Sequence, residues 1–215
     1  VDKVTNVRAA LTYSYARPSY EAVVPSRFIS REAEEITMGN PMLEPSSSIN
    51  MDLMFERYFT NVGVVSGGIF YKDIQQFIFN RVSEQVGGEF DGYEISTPEN
   101  GENAYVWGVE LSWQQNFTFL PGIWKNFGIY SNYTYTNSEA FIQNREDIEA
   151  ADEKITLPGQ ARHVGNLALT YDDGKFQSRI AMYYNGSFLD ELLDPGIDRF
   201  YADRAQWDLS KSYSF

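Results

Sequence analysis

The side chains with the widest catalytic repertoire are almost missing from this sequence, which has one histidine and no cysteine. Thiol nucleophiles, thiolate metal sites and disulfides are therefore excluded, and so is a histidine-rich zinc site. The one histidine, His163, falls in step with Gly165, Leu167 and Leu169 along an alternating stretch. That places it on an apolar face, not where a general base would work. Asp172-Asp173 is a carboxylate pair, but it sits in a turn and makes a poor acid/base couple. The GVVSGG segment at 63–68 lacks the Gly-x-Ser-x-Gly spacing of a nucleophile elbow. Asn116-Phe117-Thr118, Asn132-Tyr133-Thr134 and Asn185-Gly186-Ser187 match a glycosylation pattern, yet they lie in or at the ends of strands. The acidic clusters lack the ordered spacing of a calcium loop. No catalytic constellation survives, and neither an enzyme nor a cofactor is expected.

What the chain has in abundance is aromatic surface: 15 Tyr and 15 Phe in 215 residues. The length suffices for one domain with a large core. A net charge of −13 would be repelled by a phosphate backbone, so no nucleic-acid partner is expected. No apolar run approaches the ~18 residues of a transmembrane helix. No signal peptide is visible and the chain does not begin with Met, so it reads as a mature segment or a piece of something longer.

Period-two alternation is nearly everywhere in the sequence and helical periodicity nearly absent. Eight strands are expected, over 3–17, 47–60, 63–80, 103–119, 127–139, 160–172, 175–189 and 205–215. In the fourth, Tyr105, Trp107, Val109, Leu111 and Trp113 alternate with Val106, Gly108, Glu110 and Ser112. The third is the least regular, because Phe70 and Ile74 fall on its polar face. Connections alternate too. Three are short, around 60–63, 120–126 and 172–175, the last with Asp173-Gly174 expected at positive φ in a two-residue hairpin turn. Four are long, over about 18–46, 81–102, 140–159 and 190–204, and hold about two-thirds of the 30 acidic residues. Strict alternation puts every long loop at one end of an up-and-down antiparallel sheet.

Alternation alone also fits a soluble β-sandwich or carbohydrate-binding module. Strand length argues for a transmembrane β-barrel instead: at ~3.3 Å per residue these strands reach ~35–50 Å, enough to cross ~25–30 Å of hydrocarbon when tilted. The rings cluster near strand ends. Phe59, Phe117, Phe119, Phe127, Tyr171, Phe176, Tyr213 and Phe215 lie toward the short turns. Tyr13, Tyr15, Tyr105, Trp107, Tyr133, Tyr135, Tyr184 and Trp207 lie toward the long loops. Two such girdles are expected where amphipathic rings settle at headgroup depth, with Trp113 falling between them. The ring-bearing face then meets lipid, and Lys211 is the residue on it least suited to hydrocarbon.

A set of short motifs, ordered along nearly the whole chain, adds a family resemblance. It begins with Tyr15-Ala16-Arg17-Pro18-Ser19-Tyr20 and Gly39-Asn40-Pro41-Met42-Leu43-Glu44-Pro45, followed by Asn50-Met51-Asp52-Leu53 and Glu56-Arg57-Tyr58-Phe59. Phe70-Tyr71-Lys72-Asp73-Ile74, Trp107-Gly108-Val109-Glu110-Leu111 and Asn132-Tyr133-Thr134-Tyr135 come next. Leu157-Pro158-Gly159-Gln160 and Trp207-Asp208-Leu209-Ser210 close the run. Together they resemble the C-terminal part of the barrel of TonB-dependent outer-membrane receptors. The resemblance implies a single partial barrel region over 1–215, about eight strands of a 22-stranded type, with no plug domain in this sequence. A self-contained eight-stranded barrel ending at Phe215 is the rival.

The resemblance also implies active uptake of a scarce nutrient, with TonB acting through a plug domain. Ferric siderophores and oligosaccharides are the substrates nearest in motif wording; haem, cobalamin and peptides are further candidates. Outer-membrane lipid and lipopolysaccharide would surround the barrel, with long loops extracellular. Candidate substrate contacts in the loops and upper lumen are Tyr20, Arg27, Arg31, Arg81, Tyr93, Arg145, Arg162, Asn185 and Arg199.

Overall fold

A computed structural model describes residues 4–59, 63–143, 152–193 and 197–215. In chain order the strands are β1 (Thr5–Ala16), β2 (Arg27–Ser30), β3 (Glu35–Met38), β4 (Ser46–Phe59), β5 (Gly63–Gln75), β6 (Ile78–Glu84), β7 (Glu94–Asn100) and β8 (Asn103–Asn116). They continue with β9 (Phe127–Ile142), β10 (Glu153–Ile155), β11 (His163–Asp172), β12 (Phe176–Asn185), β13 (Phe188–Glu191), β14 (Arg199–Tyr201) and β15 (Arg204–Tyr213). One helical turn, α1 (Tyr20–Val23), lies between β1 and β2.

The eight long strands form one antiparallel wall in the order β1-β4-β5-β8-β9-β11-β12-β15, with β10 added beside β9. Neighbours in the wall are neighbours in sequence, apart from the loop strands, as an up-and-down sheet requires. β1 and β15 stand at its two edges and do not pair with each other. The sheet is thus an open arc, and eight strands do not close as a barrel of their own.

Register carries the ring-bearing face unbroken from strand to strand. Leu11 stands opposite Met51, Met51 opposite Tyr71, and Tyr71 opposite Trp107. Further along, Leu167 faces Met182, which faces Trp207. Among the described residues no second sheet covers these groups: Leu11 is 71% exposed and Trp207 64%. A soluble sandwich would bury them against an opposing layer. The other face is polar and internally bonded. Asn50 donates to Thr12 and Ser14, and Asn166 donates to Asn132 at 2.8 Å.

The two irregular residues of the third strand have a packing role on that polar face. The Phe70 ring occupies the space above Gly108, where an added Cβ would stand 2.4 Å from the ring and 2.3 Å from the Tyr135 carbonyl. Ile74 packs against a small apolar core at the long-connection end, built from Phe77, Phe79, Ala104, Ala140, Leu189 and Leu192 among others.

Several boundaries differ from the sequence expectation. The stretch 63–80 is not one strand: Gln76 adopts φ 53° and bends the chain between β5 and β6. Pairing nevertheless continues around the bend, with Gln76 donating to the Glu102 carbonyl and Gly101 to that of Phe77. The fourth strand ends at Asn116, where a ten-residue connection containing a 3-10 turn (Gly122–Asn126) takes over. The fifth runs on to Ile142, because β10 pairs with its end.

The Asp173-Gly174 turn also differs. Gly174 has φ +90°, but Asp173 is not at positive φ. Its carboxylate instead accepts the Lys175 and Phe176 N–H groups at 3.0 and 2.8 Å, making a three-residue connection. Those bonds favour the ionised form and hold the Asp173 carboxyl below its ordinary value, Phe176 contributing most.

Candidate functional site: the loop layer and the two aromatic belts

The long connections are folded structures of their own. β6 and β7 continue the β5–β8 hairpin past the bend, and β3 adds to β7 in parallel while pairing with β2, giving a four-stranded sheet β2-β3-β7-β6. A parallel Arg81–Leu192 bridge, with the Val82 N–H donating to the Leu192 carbonyl at 2.8 Å, ties this sheet to the β13–β14 hairpin.

The Gly39-Asn40 pair fastens the helical turn that follows Ser19. Ser19 caps α1 by accepting from the Ala22 N–H at 3.2 Å. Gly39 lies so close to the Val24 carbonyl that a Cβ would sit 1.9 Å from its oxygen. Asn40 donates through its backbone to the Ala22 carbonyl at 2.7 Å and through its amide to the Pro98 carbonyl at 3.0 Å. Asn100 then holds Glu44 by a reciprocal pair of bonds at 2.8 and 3.0 Å. The first long connection is thereby pinned to β7.

Leu157-Pro158-Gly159-Gln160 is a turn with proline second and glycine third, Gly159 at φ +75° and the Gln160 N–H on the Leu157 carbonyl. Its Gly159 N–H donates to the Leu189 carbonyl at 2.7 Å, fixing it to β13.

Most of the arginines expected to contact substrate are engaged in holding loops together. Arg31 pairs with Glu89 at 2.7 Å and stands over the Phe90 ring at 5.4 Å, beside Arg27 at 5.1 Å. Tyr93 meets the same ring edge-on at 5.3 Å. The hydrogen bond that Arg31 donates to Glu89, and then the charge of Glu89, raise the guanidinium above its ordinary value. Arg199 binds both oxygens of Glu94 at 3.0 Å and also pairs with Glu191. Glu94 is the chief cause that raises it. Arg81 pairs with Glu99 at 3.5 Å.

Arg27, Arg31 and Tyr93 are therefore gathered at Phe90, a residue the charge pattern does not single out. Tyr20 stands apart and is 82% exposed. Asn185 donates to the Gly186 carbonyl, next to a recess that Arg162 lines. Arg145 lies outside the described residues. Glu89, Glu94 and Glu191 are the carboxylate partners that tie the loops into one layer.

The rings form two belts with direct contacts. At the long-connection end Tyr71 meets Tyr105, Trp107 meets Tyr135, and Tyr135 meets His163 with centroids 5.4 Å apart. His163 Nδ1 also shares a hydrogen bond of 2.7 Å with the Tyr133 hydroxyl, as suits an interfacial face residue. At the short-turn end Phe117 meets Phe119, Phe127 meets Tyr171, and Tyr171 meets Phe176. Trp113 is not between the belts: its ring lies 6.3 Å from Phe117 and joins the short-turn belt. Lys211 stands opposite Ser178, one step from the Phe176–Tyr213 pair, so its ammonium has a short path out of hydrocarbon. Arg57 occupies a similar place, 5.9 Å from the Phe59 ring.

No helix among the described residues is long and apolar enough to cross a membrane. Comparison with known proteins agrees with this architecture. The sequence matches no curated protein. The structure is similar to the copper transporter OprC, with TM-score 0.67, 15% identity, and coverage of 100% of this chain and 29% of that one. It is similar to a point variant of the ferric enterobactin receptor PfeA from Pseudomonas aeruginosa, with TM-score 0.59, 16% identity, and coverage of 98% and 30%. The siderophore receptor PirA from Acinetobacter baumannii gives TM-score 0.58, 16% identity, and coverage of 98% and 33%. The chain thus spans about 30% of the length of the solved receptors it resembles. The model of the "TonB dependent receptor-like, beta-barrel" family matches residues 1–215, so the chain belongs to the TonB-dependent receptor family, whose members are outer-membrane β-barrels.

Proposed function

We propose that this chain supplies wall strands and ligand-facing loops to a receptor for active uptake of a scarce, bulky nutrient, a ferric siderophore or an oligosaccharide. The observation that carries the reading is the asymmetry of the wall. One face is continuous apolar and aromatic surface with a belt at each end; the other is polar and roofed at one end by a cross-linked loop layer. Lipid solvates the first face. The long-connection end faces the exterior beside lipopolysaccharide, and the loop layer meets the ligand there. TonB acts on a plug domain of the whole receptor, and no chemical conversion of the ligand is involved. The names of the solved relatives, receptors or transporters for siderophores and copper, support uptake of a metal-linked solute. The test is growth of a receptor-deleted strain, with and without TonB, on single iron or glycan sources. A growth defect on one source, restored only by the receptor together with TonB, is the expected result; no source-dependent defect refutes the proposal.

A further inference from the structure

At the rim of the polar face lies a recess of about 380 Å³, between the end of β9 and the β13–β14 hairpin. Register builds it. β9 runs past the start of β11, and the ladder continues one step beyond, the Thr136 N–H donating to the Arg162 carbonyl at 2.9 Å. Thr136 and Ser138 alternate with the outward Tyr135 and Asn137, so they belong to the polar face, and Arg162 opposite Thr136 shares it. The Leu157–Gln160 turn closes one side through the bond from the Leu157 N–H to Ser138 Oγ at 3.1 Å. Phe188 and Phe200 close the other.

Three properties define what would fit. The lining contains no Asp or Glu, although the chain carries 30 acidic residues. Arg162 is exposed and, among the described residues, its guanidinium has no ion-pair partner, whereas Arg31, Arg81 and Arg199 each hold a glutamate. Among the other lining residues, which include Ser138, His163 and Tyr184, Thr136, Thr156 and Ser187 offer hydroxyls and Gln160 an amide. That amide donates to the Ala161 carbonyl, which leaves its oxygen available to accept.

We infer that this recess is a subsite for a polyhydroxylated carboxylate. The carboxylate sits on Arg162, ligand hydroxyls on the Thr136, Thr156, Ser187 and Gln160 groups, and a C–H face on the Phe200 ring. A cavity of this size takes one ring-sized unit, not a whole oligosaccharide. The same chemistry occurs in a uronate residue of a glycan and in a hydroxycarboxylate iron chelate. The inference rests on the uptake reading and names the ligand chemistry of that reading.

The test uses the full-length receptor in detergent, titrated calorimetrically with trigalacturonate, with a neutral trisaccharide of equal length, and with ferric citrate. One of the two carboxylate probes binds and the neutral one does not; trigalacturonate points to a glycan, ferric citrate to a chelate. Arg162→Met weakens that binding roughly 10- to 100-fold, as loss of a charge-assisted bond implies. Thr136→Val weakens it less, and Lys154→Met, an ion-pair residue outside the recess, leaves it unchanged. Heat-modifiable gel mobility confirms that each variant folds. If neither carboxylate binds, or if Arg162→Met binds as tightly as the parent, the subsite is refuted. A receptor that binds a probe through Arg162 yet supports no TonB-dependent growth refutes the uptake reading and leaves the subsite standing.

Discussion

Placing a cation at successive depths on the apolar face tests the assignment of that face to lipid. Leu53 lies near the middle of β4, flanked by Ala9 and Ile69, with Val109 beyond. A Lys there, at mid-bilayer, costs about 2–4 kcal/mol. Ser47, six residues closer to the long-connection end, shares the face. At ~3.4 Å per residue and ~40° tilt that separation is ~15 Å along the membrane normal, about half the hydrocarbon thickness. Ser47→Lys should therefore cost only about 0–1 kcal/mol, with Ile49→Lys between the two. The control is Ser112→Lys, on the polar face between Ser66 and Asn132 and nearer the short-turn belt. It should change stability little, because a polar lumen solvates the ammonium. The assay is denaturant titration of the full-length receptor refolded into lipid vesicles. A penalty that does not vary with depth, or one equal on the two faces, would refute the argument.

Other consequences are narrower. Gly108→Ala meets both the Phe70 ring and the Tyr135 carbonyl, so it should destabilise by about 1–3 kcal/mol. Adding Phe70→Leu should restore only part of that in a thermal melt, because the backbone oxygen stays where it is. Arg199→Met removes the pairs to Glu94 and Glu191. Both are partly exposed, so global stability should fall by no more than about 1 kcal/mol, while hydrogen exchange in β13 and β14 quickens and high salt narrows the difference. Asn40→Ala removes the bonds to Pro98 and Met42 and should increase proteolysis within 20–45 without altering the wall. Because the Asp173 carboxyl is held low, its contribution is present above its unfolded value of about 3.9. It is lost as pH falls through the lower folded value. The stability gap between Asp173→Ala and the parent should therefore close in acid and persist at neutral pH.

The wall was legible because its signal is long and redundant. All eight wall strands were expected from alternation, and each is present with shifted ends. The loop strands were not, for reasons the residues make plain. β2, β3, β13 and β14 are three or four residues long, too short for a period to register, and β3 owes its status to parallel pairing with β7 far away in sequence. Nothing local in the sequence marks the Gln76 bend, since glutamine rarely adopts positive φ. Trp113 falls in the short-turn belt because its strand ends at Asn116, three residues before the end that alternation implies. In the loops, sequence shows that arginines and glutamates abound, but not that Glu94 is the partner of Arg199, 105 residues away. Arg162, among the expected contacts, lines the recess with no carboxylate beside it.

The unbroken pairing around Gln76 and Gly101 makes the second long connection an outgrowth of the wall, not an appendage to it. A residue inserted into one leg between the bend and the tip has no counterpart on the other, and with a repeat of two it turns every later side chain over. Such a hairpin can lengthen only at its tip or by matched additions to both legs. Homologous receptors should accordingly differ here by paired increments, keeping inward and outward positions in phase while the reach of the tip varies.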